Sequence, residues 1–135
     1  MPSVLIVDDT ESTRRAFACV LRAEGYEVVT ASSGTDALRR LETVRPDMIL
    51  LDVIMPEMDG MEFLELLHSH PVWRALPVIM ISALSDPRRI RRAKELGAKG
   101  FLIKAGLPIP ELIRLINADV HNCMPDSSEP VHAGI

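Results

Sequence analysis

Val4-Leu5-Ile6-Val7-Asp8-Asp9 is a run of four apolar residues, three of them β-branched, that stops at two adjacent carboxylates. A short, bounded, β-branched run of this kind predicts a strand buried on both faces, as in a parallel sheet. The same form recurs downstream. Met48-Ile49-Leu50-Leu51 runs into Asp52, Val78-Ile79-Met80-Ile81 into Ser82, and Phe101-Leu102-Ile103 into Lys104. Ligands of open α/β sheets bind beyond the carboxyl ends of the strands. Folding is therefore expected to gather three carboxylates, a hydroxyl and an ammonium at one edge, a set suited to a divalent cation and a phosphoryl group.

Between these runs the apolar spacing is helical. Ala16, Phe17, Val20 and Leu21 mark a first helix closed by Gly25, and Tyr26 to Ala31 reads as an alternating strand nearer the sheet edge. Ser33 is placed to cap a helix burying Ala37, Leu38, Leu41 and Val44, which Pro46 ends. Asp59-Gly60 signals a turn before a helix with Met61, Leu64 and Leu67 on one face. Asp86-Pro87 reads as a cap with proline at the first helical position, and Gly97 closes that helix. Pro110 opens the last one, whose stripe is Leu112, Ile113, Ile116 and Val120. A βα unit repeated in this way predicts a parallel sheet with helices on both faces.

The 135 residues suit one domain with its own core, and 47% hydrophobic with 25% charged residues is an ordinary globular balance. The apolar runs are too short to span a bilayer, and no basic-then-apolar leader opens the sequence, so no membrane association is expected. Cys19 and Cys123 have no metal or CxxC spacing, which favours a reducing, cytoplasmic setting. A net charge of −4 argues against direct nucleic-acid binding. Arg88, Arg89, Arg91, Arg92 and Lys94 form one basic run, read as the solvated face of a helix that buries Ile90, Ala93 and Leu96; a docking surface is the sharper alternative. Residues 1–121 are expected to form the domain, and 122–135, rich in Pro, Ser, Asp and Glu, a flexible tail or the start of a linker.

Asp8 and Asp9 repel one another where the first strand ends, and a hard cation relieves that repulsion. Magnesium prefers oxygen ligands and is held by one or two carboxylates plus phosphate oxygens. Asp52 is the natural nucleophile, because a carboxylate can attack phosphorus to give an aspartyl phosphate. Ser82 can donate to a phosphoryl oxygen and Lys104 can neutralise another. Taken singly, these residues also read as surface aspartates, a turn serine and a surface lysine.

The stretches VLIVDD (4–9), DMILLDVIMPEMDG (47–60), PVIMISA (77–83) and GAKGFLIK (97–104) together resemble the receiver domain of two-component response regulators, from Val4 to about Val120. The resemblance implies a doubly wound, five-stranded parallel sheet of flavodoxin-like order 2-1-3-4-5. It implies that Asp52 is the phosphoacceptor, and that Asp8, Asp9, Asp52 and the backbone carbonyl of Ile54 hold Mg2+, with Mn2+ as an alternative. Ser82 and Lys104 contact the phosphoryl group, while Ser82 and Phe101 form a conformational switch. The implied donor is a phosphohistidine on a sensor histidine kinase or a histidine phosphotransfer protein, docking on the first helix (Thr10 to Arg22). The implied output is partner binding or phosphorylation-dependent homodimerisation through the last two helices and last strand. Such a domain is an enzyme only in promoting its own phosphorylation and dephosphorylation.

The sequence departs from the family at Ala105, where proline with a cis bond is usual; a non-proline cis bond costs about 2.5–4 kcal/mol. The loop 105–109 also looks one residue longer than the common pattern. Ile54 and Leu84 stand where other members often carry polar groups that position water, so a long-lived phosphoryl state is expected. Two other readings have weaker support. A magnesium-dependent phosphatase wants a second acid two residues after its nucleophile, where Ile54 stands. A flavodoxin-like cofactor binder wants a Ser/Thr/Gly-rich first loop where Asp8 and Asp9 stand.

Overall fold

A computed structural model describes residues 2–83, 86–104 and 109–121. The strands are β1 (Ser3–Val7), β2 (Glu27–Ala31), β3 (Met48–Asp52), β4 (Val78–Ser82) and β5 (Gly100–Ile103). They pair in parallel in the order β2-β1-β3-β4-β5. The helices are α1 (Glu11–Ala23), α2 (Gly34–Leu41), α3 (Gly60–Ser69), α4 (Pro87–Glu95) and α5 (Ile109–His121), with a 3-10 turn at Trp73–Ala75.

The period of two along each strand divides the core in half. Val4 and Ile6, with Met48, Leu50, Ile79, Ile81 and Leu102, pack under α1 and α5. Leu5 and Val7, with Ile49, Leu51, Val78, Met80 and Phe101, pack under α2, α3 and α4. β3 and β4 are buried at every position, which is why their sequences are uninterruptedly apolar up to the last residue. Each side chain of this size contributes about 1.5–3 kcal/mol on burial.

The buried stripe of α1 is rotated from its expected register. Phe17, Ala18 and Leu21 face the sheet, while Ala16 is exposed and Val20 half-buried. α2 ends at Leu41, so Val44 belongs to the following turn. Among the described side chains of α5 the buried ones are Leu112, Leu115 and Ile116, Ile113 is half-buried, and the Val120 side chain lies outside them.

Caps follow the sequence signals. Ser33 Oγ accepts from the Asp36 amide (3.0 Å), and an Asp86 carboxylate oxygen from the Arg88 amide (3.0 Å) ahead of Pro87. Asp59 and Glu62 form a reciprocal capping box that the Asp59-Gly60 turn signal alone did not specify. Gly25 and Gly97 end α1 and α4 at φ +94° and +92°, the left-handed region that favours glycine.

No helix among the described residues is long and apolar enough to cross a membrane. Leu84, the Lys104–Ala105 bond, loop residues 105–108, Cys123, His132 and the 122–135 segment lie outside the described residues.

Candidate functional site

The ladder of the sheet continues one residue past several strand ends and anchors the loops that carry the site. The Asp8 amide donates to the Ala31 carbonyl (3.1 Å), the Val53 amide to Ile81 (2.9 Å) and the Lys104 amide to Ser82 (2.7 Å). The polar residues that terminate the apolar runs are thereby held at one edge by backbone geometry.

Asp8, Asp9 and Asp52 each offer a carboxylate oxygen, and these oxygens lie within 4.8 Å of one another. Asp8 and Asp52 are buried and Asp9 is exposed. Both oxygens of Asp8 are engaged: Oδ1 accepts from the Thr10 amide (2.8 Å), and Oδ2 lies 3.1 Å from Lys104 Nζ. Lys104 Nζ also lies 3.5 Å from Asp52 Oδ1. One half-buried ammonium thus serves two buried carboxylates.

The balance of charge shows in proton affinity. Burial and the Asp8 carboxylate push the Asp52 carboxyl up to about 6, and Asp9 adds to the push. Lys104 and a hydrogen bond from the Ile54 backbone pull the other way and lose. For Lys104, burial disfavours the charged form most, but hydrogen bonds and attraction from Asp8 and Asp52 together hold its pKa above the ordinary lysine value. The pocket therefore carries more negative charge than its lysine offsets, and its free donors are hard carboxylate oxygens. Those residues fit a divalent cation of the magnesium type.

Ser82 is fully buried at the end of β4, and Phe101 is buried in the core under α2, α3 and α4, opposite Met80 in the register. The Ile54 side chain, by contrast, is 44% exposed just beyond Asp52. Met55, Met58 and Met61 pack on the core.

Two contacts at the site were not anticipated from the sequence. Arg14 Nη1 donates to the Asp8 carbonyl (2.7 Å), one helical turn into α1. Gly60 packs directly on the backbone of Asp52 and Val53, and its amide donates to the Val53 carbonyl (2.7 Å). The first contact joins a helix to the loop before it, and the second closes an eight-residue excursion, so the Asp59-Gly60 turn signal did not reveal what Gly60 packs against.

Residues 4–117 match the response regulator receiver domain family. The chain is 39% identical over 117 residues to the two-component response regulator ORR3 of Oryza sativa subsp. indica, covering 86% of this chain and 88% of that protein. It is 36% identical over 117 residues to the alkaline phosphatase synthesis transcriptional regulatory protein PhoP of Bacillus subtilis, covering 87% of this chain but only 46% of PhoP. Among solved structures, the chemotaxis protein CheY4 of Vibrio cholerae superposes with a TM-score of 0.81 at 33% identity, over 87% of this chain and 97% of that one. Receiver domains accept phosphoryl groups from histidine kinases and bind Mg2+ at an acidic pocket. The strand order, the clustered aspartates and these matches agree: the chain belongs to the response regulator receiver domain family of two-component signalling.

Proposed function

We propose that Asp52 is the phosphoacceptor of a signalling receiver charged by a phosphohistidine on a sensor histidine kinase or histidine phosphotransfer protein. The observation that carries this reading is the shared contact of Lys104 with Asp8 and Asp52 in a pocket that also takes in Asp9. An Asp52 oxygen forms the new O–P bond while the N–P bond to the donor imidazole breaks. The electron pair stays on that nitrogen, which takes up a proton. Phosphoryl transfer depends mainly on alignment and charge stabilisation, so no separate general base is needed.

Lys104 holds the acceptor carboxylate and afterwards neutralises a phosphoryl oxygen, and the Ser82 hydroxyl donates to another. Asp8, Asp9 and Asp52, with the Ile54 backbone carbonyl, would hold Mg2+ or Mn2+. When bound, the ion supplies charge neutralisation at the phosphoryl oxygens. Ser82 and Phe101 act as the switch: contacts to the phosphoryl group favour one arrangement of the β4 end and the ring, a population shift between two packings. The output is partner binding or homodimerisation through α4, β5 and α5, and α1 is the docking region for the donor.

The domain comprises residues 1–121, with 122–135 as tail or linker. It acts in the cytoplasm, without direct nucleic-acid binding of its own, and as an enzyme only on its own phosphoryl group. Incubation with acetyl phosphate and Mg2+ followed by intact mass tests the reading. The expected result is one phosphoryl adduct, abolished in Asp52→Ala. Multiple turnover of phosphate esters supports a phosphatase instead, and a yellow purified protein a flavin carrier.

A further inference from the structure

A cleft of about 460 Å³ opens between α1 and the edge strand β2, lined by Arg14, Arg15, Ala18, Cys19, Arg22 and Thr30, with Glu11 also in its wall. Arg15 and Arg22 are two helical turns apart, about 10 Å along the axis. Ala18 and Cys19, both small, stand between them in the lining of the cleft. Three of the other arginines form ion pairs: Arg39 with Asp36, Arg89 with Asp86, and Arg92 with Glu65 and Glu95. Among the described residues no carboxylate lies within ion-pair reach of Arg15 or Arg22. Glu11 stands four residues before Arg15, the spacing at which such pairs form, yet no pair is made. Three arginines thus line one concavity in a chain of net charge −4.

We propose that this cleft binds a phosphate-bearing small molecule of about mononucleotide size. A guanidinium presents paired donors that match phosphate oxygens, and the Thr30 hydroxyl adds another donor. The volume falls within the range of small-molecule sites, roughly 300–1,000 Å³. The span from Arg15 to Arg22 suits a diphosphate with its sugar better than a single inorganic phosphate. A nucleic-acid polymer fits poorly, because three cations engage few phosphates and the chain as a whole is negative. Arg14 ties the cleft to the acidic pocket, since this lining residue also donates from Nη1 to the Asp8 carbonyl (2.7 Å). Occupancy of the cleft therefore pulls on the Asp8–Thr10 turn. The site stands independently of whether Asp52 is phosphorylated.

The test is titration of the 15N-labelled full chain, free of divalent metal, with ADP, inorganic pyrophosphate and citrate. The expected result is saturable shifts in the Arg15–Arg22 and Thr30 amides, reached at lower ADP than pyrophosphate and accompanied by Asp9 and Thr10. The double variant Arg15→Ala/Arg22→Ala, altered at exposed positions, should keep its thermal unfolding midpoint and lose about tenfold or more in affinity. ADP should also slow alkylation of the exposed Cys19, located by peptide mass. Shifts confined to Lys104 and the aspartates, an undiminished response in the double variant, or no saturable response to either phosphate probe overturns the proposal. An equal response to citrate overturns it in favour of a carboxylate-bearing partner.

Discussion

Gly60 lies so close to Asp52 that a β-carbon at position 60 would sit 2.2 Å from the Asp52 carbonyl oxygen and 2.8 Å from Val53 Cα. The atoms it would meet are backbone, which cannot rotate away. Gly60→Ala must therefore push α3 off the end of β3, or tilt the segment that carries Asp52. Overpacking of this kind costs about 1–3 kcal/mol. The expected outcome is a lower urea midpoint together with weaker Mg2+ binding by calorimetry. Loss of stability with unchanged Mg2+ affinity would show that the helix moves and the site does not.

Asp52 makes metal-free stability depend on pH in a definite direction. Burial pushes its folded carboxyl up to about 6 from the ordinary 3.8, so the native state holds the proton more tightly than the unfolded chain. This group's contribution to stability thus falls as pH rises through that interval. Asp52→Asn removes the buried charge. In EDTA at a pH above 7 the variant should be more stable, on the order of 2 kcal/mol, and the advantage should vanish below pH 4. Urea melts at the two pH values check this.

Lys104 is the counter-charge to both buried carboxylates. Lys104→Met should destabilise the metal-free protein at neutral pH by about 2–4 kcal/mol, because removing one partner leaves uncompensated buried charge. The loss should shrink in acid, where Asp52 is protonated, and in saturating Mg2+. A penalty that is the same under all three conditions would assign Lys104 a packing role.

Glu57 adopts φ +68° in the loop between β3 and α3, a conformation that costs an L-residue about 1–2 kcal/mol relative to glycine. Glu57→Gly should raise the unfolding free energy from urea melts by up to about 1 kcal/mol, after the greater chain entropy of unfolded glycine is subtracted. Glu57→Val, β-branched at the same φ, should lower it.

Ile54 places an apolar, 44% exposed side chain just beyond Asp52. In the proposed reaction, an apolar group there would offer an attacking water no hydrogen-bond partner on that side. Ile54→Asn should shorten the phosphoryl lifetime, and a tenfold change would correspond to about 1.4 kcal/mol in the barrier. The decay of adduct mass after removal of acetyl phosphate measures it. An unchanged decay places the control of hydrolysis elsewhere.

Much of the fold was legible because its signals are local. The burial of β3 and β4 on both faces forces continuous apolar runs, so the last residue of each run marks the edge where ligands bind. Helix ends were legible through Ser33, Gly25, Asp86-Pro87 and Gly97, which answer backbone needs within a few residues. The register of α1 was less so. Ala16 and Ala18 are chemically identical, and only the angle at which the helix meets the sheet buries one and exposes the other.

The sequence by itself determined which side chains end the strands, and so which could meet: Asp8, Asp9, Asp52, Ser82 and Lys104. Tertiary structure alone decided how they share charge. The single ammonium between Asp8 and Asp52, the raised proton affinity of Asp52, the hold of Arg14 on the Asp8 carbonyl and the contact of Gly60 with Asp52 all join distant segments. Strand ends are set by short-range periodicity, whereas electrostatic and steric coupling depends on distances through space that chain order does not encode.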